Sequence, residues 1–131
     1  MLATVGAALG VLAVPAAAWV FRSLGRNVSE TVLTMTDQTL VMTGPYSWVR
    51  HPLYATAAML LVGVGLMSAN WFILLFALLA VGLTILIVVP MEEARMIARF
   101  GDDYRAYRAR TGRILPCSFP STAPKRRLTR N

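Results

Sequence analysis

The chain is poor in the residues that build metal centres and disulfide scaffolds. Its 131 residues include one cysteine, Cys117, and one histidine, His51. A lone cysteine excludes an internal disulfide framework, and with a single histidine it leaves too few ligands for a structural zinc site, so no metal is expected. Charge is scarce as well. Only 15% of residues are charged, with 6 acidic against 13 basic ones for a formal net charge of +7, and residues 53–89 carry no charge at all. What is present instead is apolar: 56% of residues are hydrophobic and the mean hydropathy is +0.58. Such a composition is too apolar for a water-soluble domain of this size and points to a membrane protein.

Residues 2–21, 52–67 and 71–90 reach or approach the roughly 20 apolar residues that cross a bilayer's hydrocarbon core. The expected fold is therefore all-α: a polytopic membrane protein with three transmembrane helices and a C-terminal cytoplasmic amphipathic helix. The middle segment is short and depends on tilt or local thinning to span. The first carries AVPAAAW, which resembles a signal cleavage site, yet it lacks the positive leading region of a secretory signal and reads as a retained helix kinked near Pro15. Only Ser68-Ala69-Asn70 separates the second and third segments, so these form an antiparallel hairpin.

Arg22, Arg26 and Arg50 flank the first two segments, and Arg95, Arg99, Arg105, Arg108, Arg110 and Arg113 follow the third. By the positive-inside rule the N-terminus and the 68–70 turn face outward, and residues 22–51 and 91–131 face the cytoplasm of an inner or plasma membrane. Trp19 and Trp48 then mark the inner interface and Trp71 the outer one. Residues 22–38 fit either a short strand or an interfacial loop. Beyond Pro90, Ile97, Phe100, Tyr104 and Tyr107 recur at helical spacing with arginines opposite, an amphipathic pattern broken at Gly101 and restarted by Asp102 as N-cap. Residues 1–116 form one domain, and the basic tail 117–131 is expected to be disordered. Within that tail, Lys125-Arg126-Arg127 suits anionic lipid better than nucleic acid. Gly6 and Gly10 in the first segment, and Gly63 and Gly65 in the second, suit close helix packing.

The chemistry concentrates in GPYSWVRHPLY, residues 44–54, and in Glu92-Glu93. Pro52 suits a first helical position, which puts His51 at the start of the second segment. The hairpin returns the end of the third segment to that depth, so His51 and Glu92 should meet. Two adjacent carboxylates at a membrane exit need cationic or solvent partners. Arg50, Arg95 and Arg99 are the candidates, with Tyr46, Tyr54 and Tyr104 converging on the same region. Read without function, the same group is a solvated salt-bridge cluster that anchors two helices.

GPYSWVRHPLY, a hairpin, and then EEARMIARFGDDYRAYRARTGRILP resemble, in that order, the isoprenylcysteine carboxyl methyltransferase and phospholipid methyltransferase family of integral membrane, S-adenosylmethionine-dependent enzymes. The resemblance runs over about residues 24–116. It implies that Gln38, Thr39, Leu40, Val41, Tyr46, His51, Pro52, Leu53 and Tyr54 line a cofactor cavity, with Glu92 and its neighbour Glu93 also at the cofactor. His51, Glu92 and Arg50 form the expected catalytic group. Where the eukaryotic prenylcysteine enzymes place a carboxylate-binding arginine one turn before the first glutamate, this chain has Val88, which speaks against a carboxylate acceptor.

The expected activity is methyl transfer from S-adenosylmethionine to a lipophilic or membrane-embedded acceptor. The demands on the protein are modest, because displacement at a sulfonium methyl mainly requires alignment. A carboxylate can hold the cofactor's ammonium or hydroxyls, an aromatic face its cationic centre, and a histidine its carboxylate. Glu92, Tyr46 or Tyr54, and His51 suit these roles. The alternatives are a nicotinamide-dependent membrane reductase and a non-enzymatic membrane subunit. The small size leaves room for a homodimer that completes the cavity.

Overall fold

The computed structural model describes residues 1–25 and 39–116. Gln38, most of the undecided stretch 22–38, and the tail from Cys117 onward lie outside them. The described elements are helical: α1 (Leu2–Leu24), a 3-10 turn (Gly44–Ser47), α2 (Pro52–Met67), α3 (Trp71–Phe100) and α4 (Asp102–Arg110).

Two of these helices, not three, are long and apolar enough to cross a membrane: α1 with 23 residues and α3 with 30. At about 1.5 Å rise per residue, the 16 residues of α2 reach about 24 Å and stop short of a hydrocarbon core of about 30 Å. Its start is set by Pro52 and its end by the turn, so it cannot lengthen. Only 17% of the apolar window of α1 and 11% of that of α3 is buried. The core helix of a soluble protein would be mostly covered, whereas here Val11, Leu12 and Val14 of α1 and Phe72, Phe76 and Leu86 of α3 are exposed. Apolar surface on this scale requires a non-aqueous neighbour.

Helix α1 runs through Pro15 and buries Gly6, Ala13 and Val20, one residue every seven, which form a single face. That face meets α2 at backbone distance. A Cβ on Gly6 would lie 2.5 Å from the Gly63 carbonyl oxygen, and one on Gly63 would lie 2.9 Å from the Gly6 carbonyl oxygen. Gly65 in turn abuts Leu74 of α3. The small residues thus serve internal packing, as their spacing suggests. Gly10 differs, since nothing lies within 4 Å of its would-be Cβ.

The turn between α2 and α3 reverses through Ala69, whose φ is +50°, and ends at Asn70. The Asn70 side chain accepts from the Phe72 and Ile73 backbone N–H groups at 3.0 and 3.4 Å, capping α3. Helix α3 does not stop at Pro90. It widens into a π turn at Thr84–Val88 and continues to Phe100. Proline cannot donate to the carbonyl four residues back and its ring crowds it, so a wider turn just upstream is the local accommodation. The amphipathic pattern expected after Pro90 is therefore divided. Its first half completes α3 and its second half is α4. Gly101, at φ +55°, makes the break, and Asp102 is the first helical residue rather than the N-cap. Helix α4 buries Tyr104 and Tyr107 and exposes Arg105 and Arg108.

Candidate active site

The polar end of the hairpin is assembled from four chain segments. Gly44 opens the 3-10 turn with φ +61° and sits so close to α1 that a Cβ would lie 2.5 Å from Ser23 Oγ, so this position requires glycine. The turn is tied from above by Tyr107, whose hydroxyl donates to the Tyr46 carbonyl at 2.6 Å. Trp48, just after it, meets Trp19 of α1 edge to face at 6.5 Å, so the two tryptophans expected at one interface touch. Residues 48–51 then pair with the chain after α4: Gly112 N donates to Trp48 O (3.2 Å), Arg50 N to Gly112 O (2.8 Å) and His51 N to Arg113 O (3.0 Å). Val49 and Gly112 make an isolated parallel bridge.

His51 is the N-cap residue of α2 and Pro52 its first helical residue, where a missing N–H costs nothing. The imidazole is buried between both carboxylates. Nδ1 lies 3.7 Å from Glu92 Oε2 and Nε2 lies 3.4 Å from Glu93 Oε1. The first is beyond hydrogen-bond distance and the second is not aligned as one, so Nε2 is buried without a hydrogen-bond partner among the described residues. Tyr54, one turn into α2, stacks near the ring at 5.9 Å and donates its hydroxyl to Glu92 Oε1 at 2.6 Å.

The two glutamates have different surroundings. Glu92 keeps 38% of its side chain exposed, while Glu93 keeps 3%. Glu93 accepts from Arg50 Nε at 3.0 Å, and its other oxygen faces Arg113 at 3.4 Å and Arg108 at 3.7 Å. Of the arginines expected at the acidic pair, Arg50 is there and Arg95 is exposed, while Arg99 sits over the Phe100 ring. Arg108 and Arg113, together with Thr111 and Tyr107, were not legible from spacing, because they reach the site through the fold of α4 and the bend after it. The one sequence signal for them was a continued basic pattern past Gly101.

Burial, the larger effect, lowers the His51 pKa below its ordinary 6.5, against the opposing pull of Glu93 and Glu92, so the imidazole is neutral near pH 7. Burial first and the Glu92 charge second push the Tyr46 phenol up to about 12. Burial likewise raises Tyr104 and Tyr107. These phenols stay protonated and serve as donors and apolar walls.

Among the remaining expected site residues, Pro52 is buried, and Leu53 is half-buried at the start of α2. Thr39, exposed, and Leu40 and Val41, half-buried, lie on the irregular approach to the 3-10 turn. Alongside the polar cluster an apolar groove runs between α2 and α3, enclosing about 330 Å3 with its open side included. Ala57 and Ala58 of α2 and Ala80, Val81 and Ile85 of α3 line it together with Ile114, and Tyr54 belongs to both groove and cluster.

A family model described as phospholipid methyltransferase matches residues 1–103. The chain is also similar to the methanethiol S-methyltransferase of Mycobacterium tuberculosis (strain ATCC 25618 / H37Rv), with 38% identity over 71 residues. That match covers 54% of this chain and 28% of the relative, so the aligned stretch spans little more than a quarter of the protein it matches.

Proposed function

Because the chain belongs to the phospholipid methyltransferase family, we propose that it transfers a methyl group from S-adenosylmethionine to an uncharged lipophilic acceptor at a membrane's cytoplasmic face. The observation that carries this reading is the position of Glu92, half-exposed, facing His51 and held by Tyr54, the residue that the apolar groove shares with the polar cluster.

The donor set suits the methyl donor. Glu92 is an acceptor for ammonium or ribose hydroxyl groups, and its exposed share leaves room for one beside Tyr54. His51, beside Glu92, supplies a polar contact, and the walls of Tyr46 and Tyr54 supply aromatic faces for a cation. S-adenosylmethionine, when bound, supplies an electrophilic methyl on a positively charged sulfur. The protein's own work is alignment and exclusion of water. The groove's alanines admit a slim apolar acceptor along α2 and α3, with its reactive atom toward Tyr54. For a thiol or alcohol acceptor, the new bond to the methyl carbon forms as the methyl–sulfur bond breaks, and the acceptor's proton needs a base, a role we assign to His51, whose neutral ring stacks near Tyr54. The relative named for methanethiol favours a small thiol among such acceptors. Val88, exposed on α3, offers no charge to a carboxylate.

Calorimetry with S-adenosylhomocysteine on detergent-purified protein tests the reading. The parent should bind, and Glu92→Gln and His51→Ala should each weaken binding by about tenfold or more, the loss expected for a charge-assisted hydrogen bond. Equal binding by all three proteins would remove the site, and binding of NADPH instead would favour a reductase. For orientation, a cysteine at Asn70 should react with an impermeant thiol reagent outside the cell and one at Asp103 should not.

A further inference from the structure

Arg50 has little of its guanidinium left for a ligand. With 7% of its side chain exposed, it donates through Nε to Glu93 and through Nη1 to the Arg108 carbonyl at 2.9 Å and to the Thr111 carbonyl. One side chain thus joins the entry to α2, the end of α3 and the end of α4. Glu93 is the complementary node: Arg50 and His51 before α2, and Arg108 and Arg113 in and after α4, all lie within 3.7 Å of its carboxylate.

The backbone of His51 depends on this junction. Its N–H donates to Arg113, and the preceding N–H donates to Gly112, both one or two residues past the carbonyl of Thr111 that Arg50 grips. The ring has no hydrogen bond at Nε2 to orient it. Its position therefore comes from the backbone pairing, the Tyr54 stack and the flanking charges. Residues 104–113, which supply half of the pairing, lie beyond the 1–103 region that the family model matches.

We propose that Arg50 and Glu93 are positioning residues, a buried lock that holds the segment after α4 against residues 48–51 and so aims His51 at Glu92. The two glutamates divide the labour: Glu92 faces the ligand and Glu93 builds the site. The ligand-binding arm of the test rests on the proposed function, and the spectroscopic arm does not.

His51 is the chain's only histidine, so its ring signals are unambiguous in an NMR spectrum of the ligand-free protein in detergent. The nuclear Overhauser contact between the His51 and Tyr54 rings reports position rather than charge. Arg50→Gln should abolish it and weaken S-adenosylhomocysteine binding by about 100-fold, the scale of loss for a misplaced binding group. Arg50→Lys, which keeps the charge and one donor, should restore part of both, and the control Arg105→Gln, in an exposed pair with Asp102, should change neither. Should Arg50→Gln fail to fold, the isosteric Glu93→Gln takes its place with the same expectation. A folded Arg50→Gln or Glu93→Gln protein that keeps the ring contact overturns the lock. If the parent binds no S-adenosylhomocysteine, methyl transfer falls, and the ring contact still decides the lock.

Discussion

The two ends of α2 are held by opposite means. Toward the 68–70 turn, Gly63 and Gly65 let α1 and α3 approach to backbone contact, and no charged group takes part. At the other end, Arg50, His51 and Tyr54 meet two carboxylates and a backbone pairing. The difference follows from the surroundings each end faces. Where lipid replaces water, burying apolar surface gains little, and close contact between small residues supplies the association. Where charges must be taken out of water, each needs a partner with good geometry, and here Arg50 and the buried Glu93 supply one another's. The first arrangement tolerates no added bulk and the second tolerates no lost partner.

The sharpest break should come from Glu93→Ala. It leaves Arg50 buried without its carboxylate, and thermal melts in detergent should show a loss of about 3–5 kcal/mol, as for one member of a buried ion pair. Glu92→Ala removes one hydrogen bond from Tyr54 at a half-exposed site and should cost about 1 kcal/mol. Similar losses from the two substitutions would erase the distinction between the glutamates.

At the glycine end, Gly6→Ala should destabilise by about 1–3 kcal/mol through overpacking against the Gly63 carbonyl, whereas Gly10→Ala, four residues on and facing open space, should be neutral or slightly stabilising. Equal effects would show that α1 and α2 are not in backbone contact.

The smallest effect is on pH dependence. His51 has a folded-state pKa below its ordinary 6.5, so the unfolded chain binds more protons between those two values. Stability is therefore lost as pH falls through 6.5 toward the folded-state pKa and is unaffected by this group above that window. The melting temperature of His51→Gln should fall less steeply than the parent's between pH 7.5 and 5, and parallel slopes would mean that the ring is not buried as described.

The sequence alone determined the helical class, the hairpin at residues 68–70, Pro52 as a helix start, and the meeting of His51 with Glu92. Each follows from local patterning: long apolar runs, a three-residue connection, and a proline where a missing N–H is harmless. Tertiary structure decided which glutamate stays open, that Arg108 and Arg113 share Glu93 with Arg50, and that α3 runs through Pro90. Partners distant in sequence are selected by how helices stack and where the chain turns back at Gly101 and Thr111, and neither periodicity nor composition carries that information.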